Sequence, residues 1–173
     1  LTFAYDPNGN VTTLSNATET VRYAYDPLNR VTNVFVVGLN KAVGYEYDSV
    51  GNRAAMIDPD GGRTEYEYDA LNRLTALTDP GSNTWTFAYD AINRMTNMTM
   101  PNGIAAAYQY DPGSRLTNLV YRSSTDAVLQ SFAYAYDAAG NPLSVKREDN
   151  TYELYQYDDI YQFVTRSIAA KPQ

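Results

Sequence analysis

The chain has 173 residues, with 13 Lys and Arg against 20 Asp and Glu, no histidine and no cysteine. A net charge of −7 argues against a nucleic-acid surface, which is normally basic. The missing histidine removes the commonest general base and metal ligand, and without cysteine neither disulfides nor thiolate metal sites can form. No apolar run approaches the roughly 20 residues that a membrane-spanning helix needs.

Aromatic residues make up 13% of the chain, and 17 of them are tyrosines. Most fall into a repeat. The dipeptide Tyr-Asp occurs at Tyr5-Asp6, Tyr25-Asp26, Tyr47-Asp48, Tyr68-Asp69, Tyr89-Asp90, Tyr110-Asp111, Tyr136-Asp137 and Tyr157-Asp158. Successive tyrosines are 20, 22, 21, 21, 21, 26 and 21 residues apart. A fixed period of this length signals a repeat architecture. The array is read as one domain over residues 1–167, with copies starting near 1, 21, 43, 64, 85, 106, 132 and 153, followed by a disordered tail or the start of another segment at 168–173. Because residue 1 already lies in a repeat strand, the chain reads as an internal fragment or a processed product.

Each copy opens in the same way. Phe3, Tyr23, Tyr45, Tyr66, Phe87, Tyr108, Tyr134 and Tyr155 stand two residues before the Tyr-Asp tyrosines. That spacing puts both rings on one face of a β-strand. The aspartate then starts a turn, in which its carboxylate can accept a backbone N–H two residues on. Gly9, Asn29, Gly51, Asn72, Asn93, Ser114 and Gly140 follow three residues after the aspartate, with Tyr161 the bulky exception. Glycine and asparagine tolerate a left-handed backbone, so a type I turn closed by such a residue is expected. The chain returns as a second strand, as at Val31-Thr32-Asn33-Val34 and Leu74-Thr75-Ala76-Leu77. A different turn, exemplified by Asp58-Pro59-Asp60-Gly61-Gly62, leads to the next copy.

Three copies depart from this regularity. The second carries the apolar run Val34-Phe35-Val36-Val37, expected to be buried on both faces or to pass under a neighbour. The sixth is five residues longer, and Tyr121 to Ala127 reads as an extended loop. The eighth drifts, with Tyr161 in the turn and Glu153 where other copies place apolar residues, as in a fraying end or a terminal cap.

Two strands and two turns per copy leave no room for a helix. The fold expected is all-β, a repetitive antiparallel meander of about sixteen strands, two per roughly 21-residue repeat. Accumulated twist should curl it into a spiral sheet or partial shell. A β-propeller is the alternative, since two copies approach the length of a four-stranded blade.

The pattern Tyr-Asp-x-x-(Gly/Asn)-Arg-(Leu/Val/Met)-Thr, complete at Tyr25–Thr32, Tyr68–Thr75 and Tyr89–Thr96, resembles the Rhs or YD-repeat family. Tyr110–Thr117 departs only at Ser114, whereas Asn10, Asn52, Asn141 and Gln162 replace the arginine elsewhere. The resemblance implies a β-strip that spirals into a hollow shell. In bacterial polymorphic toxins and insecticidal toxin complexes such a shell encloses a C-terminal toxin, and in animal teneurins a similar shell serves adhesion. Bacterial members often end the shell with a self-cleaving aspartyl segment. Asp58-Pro59-Asp60-Gly61 and Asp79-Pro80-Gly81 look superficially like its signature but sit in ordinary repeat turns.

The residues offer no catalytic constellation, and no cofactor is expected. Asp58 and Asp60 beside glycines invite a calcium reading, but the full loop pattern with a distal glutamate is missing. Trp85 could stack on a sugar ring, or simply continue the aromatic face of Phe87 and Tyr89. Asn10, Asn16 and Asn97 match the N-glycosylation pattern because Asn and Thr are both built into the repeat. The function expected is structural: part of a shell around a toxin or other cargo, on a secreted or cell-surface bacterial protein. Its partners would be flanking repeats and a C-terminal cargo of the same polypeptide. The alternative is an adhesin or filament that binds carbohydrate, or copies of itself through edge strands.

Overall fold

The computed structural model describes residues 1–169. By compactness the chain divides into two units, Leu1–Thr84 and Trp85–Gln173, a division that coincides with the start of the fifth copy. The first unit holds β1 (Thr2–Tyr5), β2 (Val11–Ser15), β3 (Thr20–Tyr25), β4 (Val31–Val36), β5 (Lys41–Tyr47), β6 (Arg53–Ile57), β7 (Arg63–Tyr68) and β8 (Leu74–Thr78). The second holds β9 (Thr84–Tyr89), β10 (Met95–Thr99), β11 (Ala105–Tyr110) and β12 (Leu116–Arg122). It continues with β13 (Val128–Tyr136), β14 (Pro142–Arg147), β15 (Tyr152–Tyr157) and β16 (Phe163–Ala169). No helix occurs among the described residues, so none there is long and apolar enough to cross a membrane.

The sixteen strands form one open sheet in sequence order, an all-β antiparallel meander as the repeat predicts. The propeller alternative fails because blades would split the strands into separate sheets. Within each unit a strand touches only the strands before and after it. Among the described residues no second layer covers the sheet within either unit, and few side chains are buried. Ala55, Ala106 and Val145 are the buried apolar residues among those described. The accessible surface is 11080 Å², against about 8,500 Å² expected of a compact monomer of this mass.

The aromatic spacing does its work in the pleat. Along β7, Thr64, Tyr66 and Tyr68 are half-buried while Arg63, Glu65 and Glu67 are exposed, and β9 alternates in the same way. The turns close as expected, with an addition. Asp26 N–H donates to the Arg30 carbonyl at 2.9 Å, Asn29 N–H donates back to Asp26 at 2.9 Å, and Asn29 takes φ of 61°. The register slips by one residue at each of these hairpins: Ala24 faces Asn33 but Tyr25 faces Val31, leaving Thr32 unopposed. Thr12, Thr75 and Thr117 are skipped in the same way. The repeat threonine is thus a β-bulge residue, paired to a left-handed turn position.

Several expectations are corrected. Five of the seven connecting turns are the same turn rather than a different one, Asn16–Glu19 and Val37–Asn40 being the exceptions. Asp58 N–H donates to Gly62 at 2.8 Å, Gly61 N–H donates to Asp58 at 3.1 Å, and Gly61 has φ of 89°. Ser82, Gly103, Asp126 and Asn150 repeat this geometry with φ of 63°, 80°, 65° and 62°. The Val34–Val37 run is not buried on both faces, because a single layer has no second covering. The five extra residues of the sixth copy do not make a loop. They lengthen β12 and β13, with Tyr121 facing Gln130, and leave a five-residue turn at Ser123–Ala127. The eighth copy is not frayed, since β15 and β16 pair from Tyr152–Ala169 to Tyr157–Phe163. Ile168 and Ala169, expected in a tail, belong to β16, and residues 170–173 lie outside the described residues.

Tyr161 occupies the left-handed position with φ of 62°, where a bulky side chain costs roughly 1–2 kcal/mol. Tyr161→Asn should therefore stabilise the last hairpin by about 1 kcal/mol. Amide hydrogen exchange across β15 and β16 should slow accordingly, and unchanged protection there would show that the position is unstrained.

Candidate functional site

The repeated aspartate uses both carboxylate oxygens. Asp26 Oδ1 accepts the backbone N–H of Leu28 at 2.9 Å and of Arg30 at 3.0 Å, while Oδ2 accepts Arg30 Nε at 2.7 Å. Asp111 holds Arg115 in the same way, through its N–H at 2.9 Å and its Nε at 2.6 Å. Asp69 and Asp90 likewise take Nε of Arg73 and Arg94, at 2.7 and 2.6 Å. One oxygen closes the turn and the other orients an arginine.

That arginine reaches into the next copy. Arg30 Nη1 donates to the Asp48 carbonyl at 3.3 Å, and its guanidinium carbon lies 4.5 Å from the Tyr47 ring centre. Arg94 reaches Asp111 at 3.0 Å and Tyr110 at 4.7 Å, and Arg115 reaches Asp137 at 3.1 Å and Tyr136 at 5.0 Å. The tyrosine hydroxyl returns the contact. Tyr25, Tyr47 and Tyr110 each donate at 2.8 Å to the carbonyls of Val11, Val31 and Met95, and Tyr136 donates to Leu116 at 2.7 Å. In every case the acceptor lies six residues beyond the tyrosine of the preceding copy.

Copies without the arginine keep a shorter version. Asn10, Asn52 and Asn141 Nδ2 donate to Oδ2 of Asp6, Asp48 and Asp137 at 2.9, 2.9 and 2.8 Å. Asn10 also reaches Oδ1 of Asn29 at 2.7 Å, and Asn52 reaches Oδ1 of Asn72 at 2.9 Å. In the eighth copy Gln162 supplies its backbone N–H to Asp158 at 2.8 Å.

These bonds favour the charged carboxylate. The Arg30 backbone amide, followed by its side chain, holds Asp26 below the usual aspartate range against an opposing cost of desolvation. For Asp6 and Asp137 the leading cause is the asparagine side-chain amide. Asp58 is another turn aspartate, its Oδ1 accepting N–H of Asp60 and Gly62 at 2.8 Å each. Trp85, the second residue of β9, is half-buried on the face of Phe87 and Tyr89. A concavity of about 140 Å³ beside Asn118, Phe132 and Arg147 is smaller than ordinary ligand pockets.

The family model for the RHS repeat matches residues 5–34, 47–84 and 68–105, just over half of the chain. The chain belongs to the RHS repeat family. No curated protein matches it. Among solved structures, the crystal structure of TcdB2-TccC3-Cdc42 matches 95% of this chain at 18% identity and a TM-score of 0.82. The crystal structure of TcdB2-TccC3 does so at 18% identity and 0.81 over the same share. A Tc holotoxin pore of Photorhabdus luminescens matches 91% of the chain at 20% identity and 0.79. The chain spans only about a tenth of those solved chains: 10%, 10% and 9%. At these identities the likeness is one of fold.

The RHS-repeat pattern does not account for Glu153. It is 6% exposed on β15, the buried charged residue among those described. Arg147 of β14 pairs with it, Arg166 of β16 pairs through Nη2 at 2.9 Å and Nε at 3.0 Å, and the Tyr155 hydroxyl donates at 2.9 Å. The hydrogen bond from Arg147, then those from Arg166 and Tyr155, lower the carboxyl to about 2. The sequence showed only a polar residue in an apolar position. A search for oppositely charged residues in the facing strands would have found the arginines.

Two outcomes follow from the ladder. Tyr136→Phe removes one hydroxyl-to-carbonyl bond and should cost about 1 kcal/mol. Tyr110→Phe should cost a similar amount, and the two should add in urea melts, as contacts in a linear array do. A double variant no weaker than either single one would refute the ladder as a stabilising series. The lowered carboxyls also set a pH dependence. Their contribution is complete above the unfolded values near 3.8 for Asp and 4.5 for Glu. It is lost as pH falls through the lower folded values. Thermal melts followed by circular dichroism should be flat from about pH 7 to 5 and fall steadily below about pH 4.

Proposed function

We propose that this chain is a non-catalytic structural segment of an Rhs-type shell, part of a β-strip that encloses a toxin or other cargo of the same secreted or cell-surface polypeptide. The observation that carries this reading is the hydroxyl and guanidinium ladder on a sheet without a core. Each copy is completed by the next one, so the architecture extends in one dimension and gains nothing from closing on itself as a globule. The shell-type likeness over most of the chain supports the same reading. The carboxylates of the repeat are occupied as turn closures and arginine anchors, which leaves them without a catalytic task.

A second reading is favoured by the edge strands. Leu1, Phe3 and Tyr5 at β1 are 79%, 45% and 60% exposed, and Phe163 and Val164 at β16 are 58% and 59% exposed. Such edges could join copies into a filament or adhesin. Light scattering across concentrations, with electron microscopy of the same sample, separates the two. A mass near 19.3 kDa with no regular polymers is expected for a shell segment, and long regular polymers would overturn it. Enclosure has its own test in the polypeptide that carries this segment. Its cargo should resist protease while the shell is intact and become cleavable with Asp111→Ala in the ladder. Equal cleavage in both would sink enclosure while leaving the segment structural.

A further inference from the structure

The ladder has two gaps, and both are marked in the sequence. Within the units, Tyr25, Tyr47, Tyr110 and Tyr136 donate to the carbonyls of Val11, Val31, Met95 and Leu116, all apolar residues. For Tyr68 and Tyr157 the corresponding residues are Arg53 and Pro142. Among the described residues neither of these two tyrosines makes the bond. The copies before them also lack the ladder arginine, having Asn52 and Asn141. Asn52 keeps one bond forward, to Asn72 at 2.9 Å. Asn10 lacks the arginine too, yet Val11 follows it and the hydroxyl bond of Tyr25 is present.

A different contact stands at each gap. At the first, Arg63 of β7 reaches over β6 to Glu46 of β5, through Nη1 at 2.7 Å and Nη2 at 2.9 Å. Its Nε holds Glu65 at 2.9 Å, and Lys41 of β5 adds a pair with Asp60 in the turn before β7. At the second gap, Glu153 of β15 draws Arg147 across from β14 and Arg166 from β16. Each is a clasp of three charges that ties one copy to the next. The hydroxyl-bonded junctions within either unit have no such clasp among the described residues, since Arg122 and Asp126 pair inside one turn. Two of the buried apolar residues fall beside the clasps. Ala55 stands between Glu46 and Glu65 in the register and is 0% exposed, and Val145 faces Glu153 at 9%. On a sheet without a second layer, the long arms of the clasps supply the cover.

We propose that the clasps take the place of the ladder where it is interrupted, and that the exposed one at Arg63 makes the β6–β7 junction a salt-sensitive seam along which the first unit opens. The two clasps differ in burial. The side chains of Arg63, Glu46 and Glu65 are 42%, 54% and 57% exposed, whereas that of Glu153 is 8% exposed. Salt screens exposed charges and largely spares buried ones. Rising ionic strength therefore loosens the first clasp and leaves the second shut. Little else holds the first seam, because β6 and β7 share only three residue pairs, from Ala55–Glu65 to Ile57–Arg63. The seam belongs to the strip itself and does not depend on a cargo.

Amide hydrogen exchange of the intact chain, read by mass spectrometry in about 50 mM and about 1 M sodium chloride, tests the seam. Exchange in β6 and β7 should quicken at least about fivefold at the higher salt, while β2–β3 and β14–β15 change by less than about twofold. Arg63→Gln should exchange at low salt nearly as fast as the unaltered chain does at high salt, and should lose most of the salt response. Adding Asn52→Arg to that variant rebuilds the ladder arginine and should restore slow exchange, a rescue that a general loss of stability would not allow. The salt comparison uses the unaltered chain, so it stands even where Arg63→Gln folds poorly. A salt response equal at all junctions, none at β6–β7, or no rescue by Asn52→Arg would overturn the proposal.

Discussion

The structure depends on the carboxylate that follows each repeat tyrosine. In a sheet with no second layer, apolar burial cannot hold the strands in register, and Ala55, Ala106 and Val145 are a small core by any measure. The aspartate compensates locally. Its Oδ1 satisfies two turn amides, which a left-handed residue brings within reach, and its Oδ2 fixes the arginine that touches the next copy. Each bond is exposed enough to be modest by itself. Their effect comes from repetition, because contacts of the same kind recur from copy to copy.

The tyrosine provides the second half of the coupling. Its ring lies on the half-buried face and under the preceding arginine, and its hydroxyl donates to a carbonyl at the start of the preceding copy's return strand. Phenylalanine would supply the ring but not the bond, which explains why the two aromatics of each copy are not equivalent. The first varies between Phe and Tyr, as at Phe3, Phe87 and Tyr66, whereas the second is tyrosine in all eight copies.

Much of this was legible in the sequence. The spacing of two between aromatics gave strands, and the Asp with Gly or Asn three residues later gave a left-handed turn. The missing parts have physical reasons. The bulge at Thr32 and its equivalents is invisible because threonine is an ordinary strand residue, and only the register reveals the skipped position. The shared geometry of both turn sets was hidden by Ser82 and Asp126, which adopt positive φ without being Gly or Asn. The insertion in the sixth copy was read as a loop because loops usually absorb extra residues. Here an antiparallel pair lengthened instead, at Arg122 and Val128. Glu153 was taken for decay because its arginines lie six and thirteen residues away, one on each adjoining strand.

At four of the seven junctions the ladder substitutions are matched in length between neighbouring copies, whereas Arg73 precedes Asn93 and Asn141 precedes Tyr161. Where a copy carries the long Arg30 or Arg115, the next turn has Gly51 or Gly140, with no side chain to offer, and the guanidinium takes the backbone carbonyl of Asp48 or Asp137 instead. Where a copy carries the short Asn10 or Asn52, the next turn has Asn29 or Asn72, whose Oδ1 projects far enough to be met. Arg94 faces the intermediate case, bonding both the Asp111 carbonyl at 3.0 Å and Ser114 Oγ at 3.3 Å. A copy therefore suits its successor through the pairing of two positions 17 to 22 residues apart. Placing a glycine turn after an Asn-bearing copy would remove its cross-copy bond, whereas an arginine finds its backbone acceptor in the repeat aspartate of any successor. The order of copies is consequently part of the structural information, even in a chain whose units look interchangeable.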